Sequence, residues 1–104
     1  MNQVIFNEIR SLKRQLIPTE KLILFGSQAR GDARDDSDWD LLVLLNKENG
    51  NILEDTEKYA YPFDELGWNS GIAINTIVYT KKQWEQGKIF PLYRNVMNEG
   101  IEIN

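Results

Sequence analysis

Phe25-Gly26-Ser27-Gln28-Ala29-Arg30-Gly31, followed after five residues by Ser37-Asp38-Trp39-Asp40-Leu41, is the stretch on which the reading of this chain turns. Before it runs Leu22-Ile23-Leu24-Phe25, a short apolar segment that suits a buried strand ending at a Gly-Ser turn. After it runs Leu41-Leu42-Val43-Leu44-Leu45, a second buried strand closed by Asn46-Lys47-Glu48-Asn49-Gly50. Residues 26–37 between them read as a polar turn with room for one turn of helix. Alternate residues of a strand share a face about 6.6 Å apart. Asp38 and Asp40 therefore converge on one side, and Trp39 points to the other, where packing is expected. Two carboxylates about 5 Å apart repel by about 3 kcal/mol at an effective dielectric near 20. A hard divalent cation offsets that cost, and Mg²⁺ commonly takes one or two carboxylates together with substrate phosphate oxygens.

The Gly-Ser turn supplies the other half of a phosphate site. Glycine lets the backbone come close to a phosphate, and the amides that follow it point at an anion. The Ser27 hydroxyl can donate to a phosphate oxygen, and Arg30 or Arg34 can neutralise charge. Two familiar alternatives fail. Gly26 and Gly31 have P-loop spacing, but Asp32 stands where the phosphate-binding lysine belongs. Asp36, Asp38 and Asp40 imitate the start of a calcium loop, but Leu41 replaces its glycine and Lys47 its closing glutamate. Asp32, Asp35 and Asp36 read as solvated turn residues.

Outward from this stretch the elements alternate. Ile5, Ile9, Leu12 and Leu16 recur at helical spacing, and Pro18 ends that helix. Ile52, Tyr59, Phe63 and Leu66 fit one face of a helix that Pro62 should kink or split. Gly67 and Gly71 bracket a turn. Ile72 to Thr80 is rich in β-branched residues and reads as a third strand. Thr80 with Gln83 predicts a capping box opening a helix at Lys81. Phe90, Tyr93, Val96 and Met97 suggest a last helix stopped by Gly100. Trp68 and Trp84 read as packing or edge residues, and Lys81 and Lys82 as solvated. The order α-β-α-β-α-β-α-α predicts an α+β (α/β) protein, a small mixed β-sheet flanked by helices, in one domain over residues 1–104.

Composition narrows the chemistry. The 104 residues include no cysteine and no histidine, which removes disulfides, thiolate or imidazole metal sites and the usual general base. A formal net charge of −4 argues against tracking a long nucleic-acid surface. Met1-Asn2-Gln3-Val4 lacks the features of a signal peptide, and no apolar run is long enough to cross a bilayer, so a cytoplasmic protein without membrane contact is expected.

Gly26-Ser27, ten intervening residues and Asp38-Trp39-Asp40 together resemble the signature of the DNA polymerase beta-like nucleotidyltransferase superfamily. The closer resemblance is to its minimal members, whose pattern reads Gly-Ser-x-Ala-Arg-Gly and then Ser-Asp-x-Asp-Leu. The specific motif covers residues 25–43. The resemblance implies a nucleotidyltransferase-like fold, with Gly26 and Ser27 holding a nucleoside triphosphate such as ATP, and Asp38 and Asp40 as catalytic carboxylates that bind Mg²⁺, one or two ions. It also implies a third carboxylate on a later strand, and the matching position here is Asn75, an amide that cannot accept a proton. Minimal members often pair with a small helical partner of the HEPN type and act as antitoxins that adenylylate it. Three functions follow. One is transfer of AMP from ATP to a hydroxyl of a partner protein. A second is a catalytically impaired module that binds nucleotide or a partner, which Asn75 favours. The third, modification of a small molecule such as an antibiotic, ranks last because 104 residues leave no room for the usual acceptor domain.

Overall fold

Leu41 to Leu45 are all buried, so the strand that carries them has no solvent face and must lie inside a sheet covered on both sides. The structure, a computed structural model, describes residues 1–34 and 36–104. Its elements are α1 Gln3–Leu16, β1 Lys21–Phe25, α2 Ser27–Arg30, β2 Trp39–Leu45, α3 Ile52–Asp55, a π-helical turn Thr56–Ala60, α4 Tyr61–Ser70, β3 Ile74–Thr80, α5 Lys81–Gln86, α6 Pro91–Glu99 and β4 Ile101–Ile103. The sheet order is β3-β2-β1-β4. β1 pairs antiparallel with both β2 and β4, whereas β2 pairs parallel with β3. The small mixed sheet flanked by helices is therefore present.

The alternation of β2 divides the core. Trp39, Leu41, Val43 and Leu45 join Leu22, Leu24, Ile74 and Val78 beneath Ile5, Ile9, Ala60 and Phe63. On the other face Leu42 and Leu44 pack with Trp84, Val96, Leu92 and Tyr93 from α5 and α6. Trp39 is 2% exposed within the first cluster, as the alternation requires. Trp84 stacks between Tyr93 and Tyr79, with ring centroids at 4.9 and 6.2 Å, whereas Trp68 sits exposed on the surface.

Local chemistry explains several element ends. Asn2 caps α1 by accepting from the amides of Val4 and Ile5. Thr80 and Gln83 form the expected reciprocal capping box. The split expected at Pro62 is present: α3 gives way to the π turn, where the Tyr61 amide donates to the Thr56 carbonyl, and Pro62 lies in the first turn of α4. That wider turn absorbs the hydrogen bond and the space that the proline ring disturbs. Four other readings need correction. Gly67 lies within α4 and not in a turn, and only Gly71 ends that helix. The third strand begins at Ile74 and not at Ile72, and Phe90 precedes its helix as the N-cap. Finally, Ile101-Glu102-Ile103 forms a fourth strand, pairing Ile101 with Leu24 and Ile103 with Leu22.

Gly67 has a packing reason. A Cβ there would collide with the carbonyl of Ile72 and come within 2.8 Å of Ile74 Cγ1. Alanine ordinarily favours a helix over glycine by about 1 kcal/mol, but overpacking typically costs about 1–3 kcal/mol. Gly67→Ala is therefore expected to lower the melting temperature by several degrees, since a loss of about 1 kcal/mol moves it by roughly 4–8 °C in a domain of this size. A rise in thermal denaturation would contradict this packing of α4 on β3.

Candidate functional site

β1 and β2 run antiparallel with Phe25 opposite Asp40, so the turn that leaves β1 at Gly26 meets the first residues of β2. Gly26 has φ 77° and ψ −160°, a conformation that side chains disfavour. A Cβ on Gly26 would collide with the Asp40 carboxylate. The glycine is thus required by the approach of Asp40 to the turn as well as by backbone geometry. Ser27 opens α2, a single turn of four residues that Gly31 ends. So short a helix carries little dipole, and any anion here would rely on individual amides and on Arg30. Gln28, buried beneath the turn, donates to the Ser37 carbonyl at 3.3 Å and so ties α2 to the segment entering β2.

Asp38 precedes β2 and is exposed, while Asp40 is half-buried within it. β3 lies parallel beside β2 with Asn75 in register opposite Asp40. The Asn75 side-chain amide donates to Asp38 Oδ2 at 3.0 Å and, more weakly, to Asp40 Oδ1 at 3.5 Å. The two carboxylates therefore converge on one electropositive group. Burial raises the Asp40 pKa above the ordinary aspartate value; the Asn75 hydrogen bond opposes this, the charge of Asp38 adds to it, Arg30 opposes and Glu99 adds. Hard carboxylate oxygens that already share one donor suit a cation such as Mg²⁺. No group of three carboxylates or other metal-ligating side chains that could hold an ion occurs among the described residues. The protein would offer two carboxylates, leaving the remaining positions to substrate and water.

Arg30 ends the short helix that follows the Gly-Ser turn. Its Nη1 donates to Glu99 Oε2 at 3.0 Å and its Nε to Asp32 Oδ2 at 3.2 Å. Glu99 and then Asp32 raise the pKa of the guanidinium further. Glu99 also accepts from the Gly26 amide through Oε1 at 3.0 Å. The structure thus brings Gly26, Ser27, Arg30, Asp38, Asp40 and Asn75 to one end of the sheet. Arg34 is not part of that group: it lines a separate depression with Met1, Asn2, Trp39 and Ile72, on the side of the sheet that Trp39 faces. Asp32 and Asp36 are exposed, although Asp32 is also a partner of Arg30. Asp35 lies outside the described residues.

Glu99 went unread in the sequence. It ends α6 immediately before Gly100, and its place beside Gly26 depends on β4 pairing with β1. The one available signal is a carboxylate at a helix C-terminus, where the dipole disfavours it. A hollow of about 290 Å³ lined by Tyr79, Trp84, Phe90 and Tyr93 lies toward the other end of β3 and contains none of these carboxylates.

Comparison with known proteins gives the same frame. Residues 6–103 match the model of the family described as the nucleotidyltransferase domain. The chain is 31% identical over 94 residues to MJ0604 of Methanocaldococcus jannaschii, a candidate protein adenylyltransferase, covering 90% of this chain and 85% of that one. It is similar in structure to a toxin–antitoxin crystallised with AMP-PNP, with TM-score 0.63 and 20% identity over 100% of this chain and 73% of that one. It is also similar to a candidate minimal nucleotidyltransferase, with TM-score 0.56 and 29% identity over 95% of this chain and 89% of that one. The chain belongs to the nucleotidyltransferase domain family, and it is an enzyme of that type.

Proposed function

We propose that this chain moves AMP from ATP to a hydroxyl group of a partner protein, in a reaction that depends on Mg²⁺. The observation that carries the reading is the convergence of Asp38 and Asp40 on one donor, beside the Gly26-Ser27 turn. Mg²⁺ held by Asp38 and Asp40 would supply Lewis-acid neutralisation of the phosphate oxygens. Gly26, Ser27 and Arg30 bind the phosphates through an amide, a hydroxyl and a guanidinium. The acceptor hydroxyl oxygen forms a bond to the α-phosphorus, and the bond from that phosphorus to the bridging oxygen of the β-phosphate breaks. Pyrophosphate leaves with that electron pair. The hydroxyl proton passes to water, since Asp38 and Asp40 would be engaged by the cation and the Asn75 amide cannot accept it.

The acceptor is a protein in this reading, for three reasons. The relative from Methanocaldococcus jannaschii carries a protein adenylyltransferase name. A structural neighbour is a toxin–antitoxin crystallised with an ATP analogue. The net charge of −4 disfavours a nucleic-acid acceptor. A helical partner of the HEPN type, with this chain as its antitoxin in the cytoplasm, is the pairing that the motif resemblance suggests.

One observation favours a second reading, a module that binds nucleotide or partner with little turnover. Asn75 occupies the register position opposite Asp40 and acts there as a hydrogen-bond donor. A carboxylate there would instead add a metal ligand or a base. Incubation with α-labelled ATP, Mg²⁺ and candidate partners separates the two. Label on a partner supports transfer; a melting temperature raised by ATP–Mg²⁺ without transfer supports the module. Asn75→Asp is expected to tighten Mg²⁺ binding and to raise transfer. If the wild type transfers label and this variant changes neither quantity, Asn75 is not the position of a missing carboxylate.

The Asp40 shift gives a pH test. An aspartate whose folded pKa is raised favours the protonated protein, so folding loses stability as pH rises through that raised value and regains it as pH falls. Cation binding needs the opposite, deprotonated form. ATP–Mg²⁺ affinity is therefore expected to fall with acidification, starting at a pH above the ordinary aspartate range. Asp40→Asn should weaken binding and leave a smaller loss on acidification. An unchanged loss on acidification in Asp40→Asn, measured by calorimetric titration, contradicts the role given to Asp40.

A further inference from the structure

Glu99 is the last residue of α6, a place where unpaired helix carbonyls make a carboxylate unfavourable. Its side chain is nonetheless largely buried, at 18% exposed. Its two oxygens divide between two donors: Oε1 accepts from the Gly26 amide and Oε2 from Arg30, each at 3.0 Å. One anion thus spans a backbone amide and a guanidinium, the arrangement that two oxygens of a phosphate would adopt. The Gly26 amide carries a single hydrogen, so it cannot serve Glu99 and a phosphate oxygen together at full strength. The carboxylate is also held in place by the chain itself. The Gly100 backbone packs so closely on Val96 and Ile23 that a Cβ there would lie 2.5 Å from the Val96 carbonyl and 2.8 Å from Ile23 Cγ2. The next residue, Ile101, pairs with Leu24 of the strand that leads to Gly26.

We propose that Glu99 is an internal competitor for the phosphate subsite: its carboxylate occupies Gly26 and Arg30 as a stand-in anion, and nucleotide enters by displacing it. The proposal rests on the nucleotide reading above. Displacement needs only rotation of the glutamate side chain, because the donors belong to other elements. Until a ligand arrives, the carboxylate keeps the Gly26 amide and Arg30 occupied and oriented. Affinity for nucleotide is lowered by the same contact. The ligand class follows from the donors: a polyphosphate with several anionic oxygens displaces a carboxylate where a neutral nucleoside does not.

Calorimetric titration of ATP–Mg²⁺ into the wild type, Glu99→Gln and Glu99→Asp tests this. The glutamine keeps the shape but removes the charge that holds Arg30, and it is expected to bind about two- to fivefold tighter, the scale of a partly exposed charged contact. The aspartate keeps the charge but is one methylene too short to span both donors, and a smaller gain is expected. In the wild type, the Gly26 amide and Arg30 side-chain NMR resonances should move together as ATP–Mg²⁺ is added. Equal or weaker binding by a folded Glu99→Gln, while the wild type binds, overturns the role of Glu99 and leaves the nucleotide reading intact. Resonances of Gly26 and Arg30 that stay fixed as the wild type fills overturn the role of Glu99 and, with it, the placing of the phosphates on Gly26 and Arg30, whatever the folding of the variants. Failure of all three proteins to bind ATP–Mg²⁺ overturns both together.

Discussion

The pairing of β1 with β2 puts the end of one strand against the start of the other, and Gly26 has no side chain at the point where the Asp40 carboxylate needs the space. That close approach is the constraint from which the candidate site follows. It fixes a backbone turn with a positive φ beside a half-buried acid. The parallel neighbour β3 then sets Asn75 opposite Asp40, and the amide reaches Asp38 as well. A sheet buried on both faces makes these positions rigid, since a slip of one residue would exchange Trp39 and Asp40 between core and site.

The charges around the turn are unequal. Asp38, Asp40 and Glu99 face Arg30 and one amide side chain. Burial first, and then the charge of Asp38, favours the protonated form of Asp40. The imbalance is relieved by a cation at the two aspartates and by an anion that takes over Arg30. A magnesium–nucleotide complex brings both kinds of charge at once, which is why one ligand can answer two opposite imbalances.

Much of this was legible in the chain. The unbroken run from Leu41 to Leu45 marks a strand buried on both faces, and the alternation Asp38-Trp39-Asp40 separates site from core. The capping box at Thr80 follows from side-chain chemistry alone. Other features depend on contacts between distant residues. Ile101 to Ile103 is too short to show a period, and it exists as a strand only because β1 offers an unpaired edge. With β4 unread, nothing placed Glu99 next to Gly26. Gly67 looked like a turn glycine, because the carbonyl of Ile72 that forbids a side chain there is brought up by packing. The π turn before Pro62 likewise reconciles a helix-breaking residue with a helix that must continue across β3.

The two aspartates and the Gly-Ser turn would hold one metal-bound nucleotide between them. Paramagnetic Mn²⁺ with ATP, added in small amounts to the isotopically labelled protein, reports on it most directly. Backbone resonances of Gly26, Ser27, Asp38, Asp40 and Asn75 are expected to broaden first and together, only when ATP is present, while those of α5 and the distal end of β3 stay sharp. Broadening centred elsewhere, or none at these five residues while ATP binds, would contradict it.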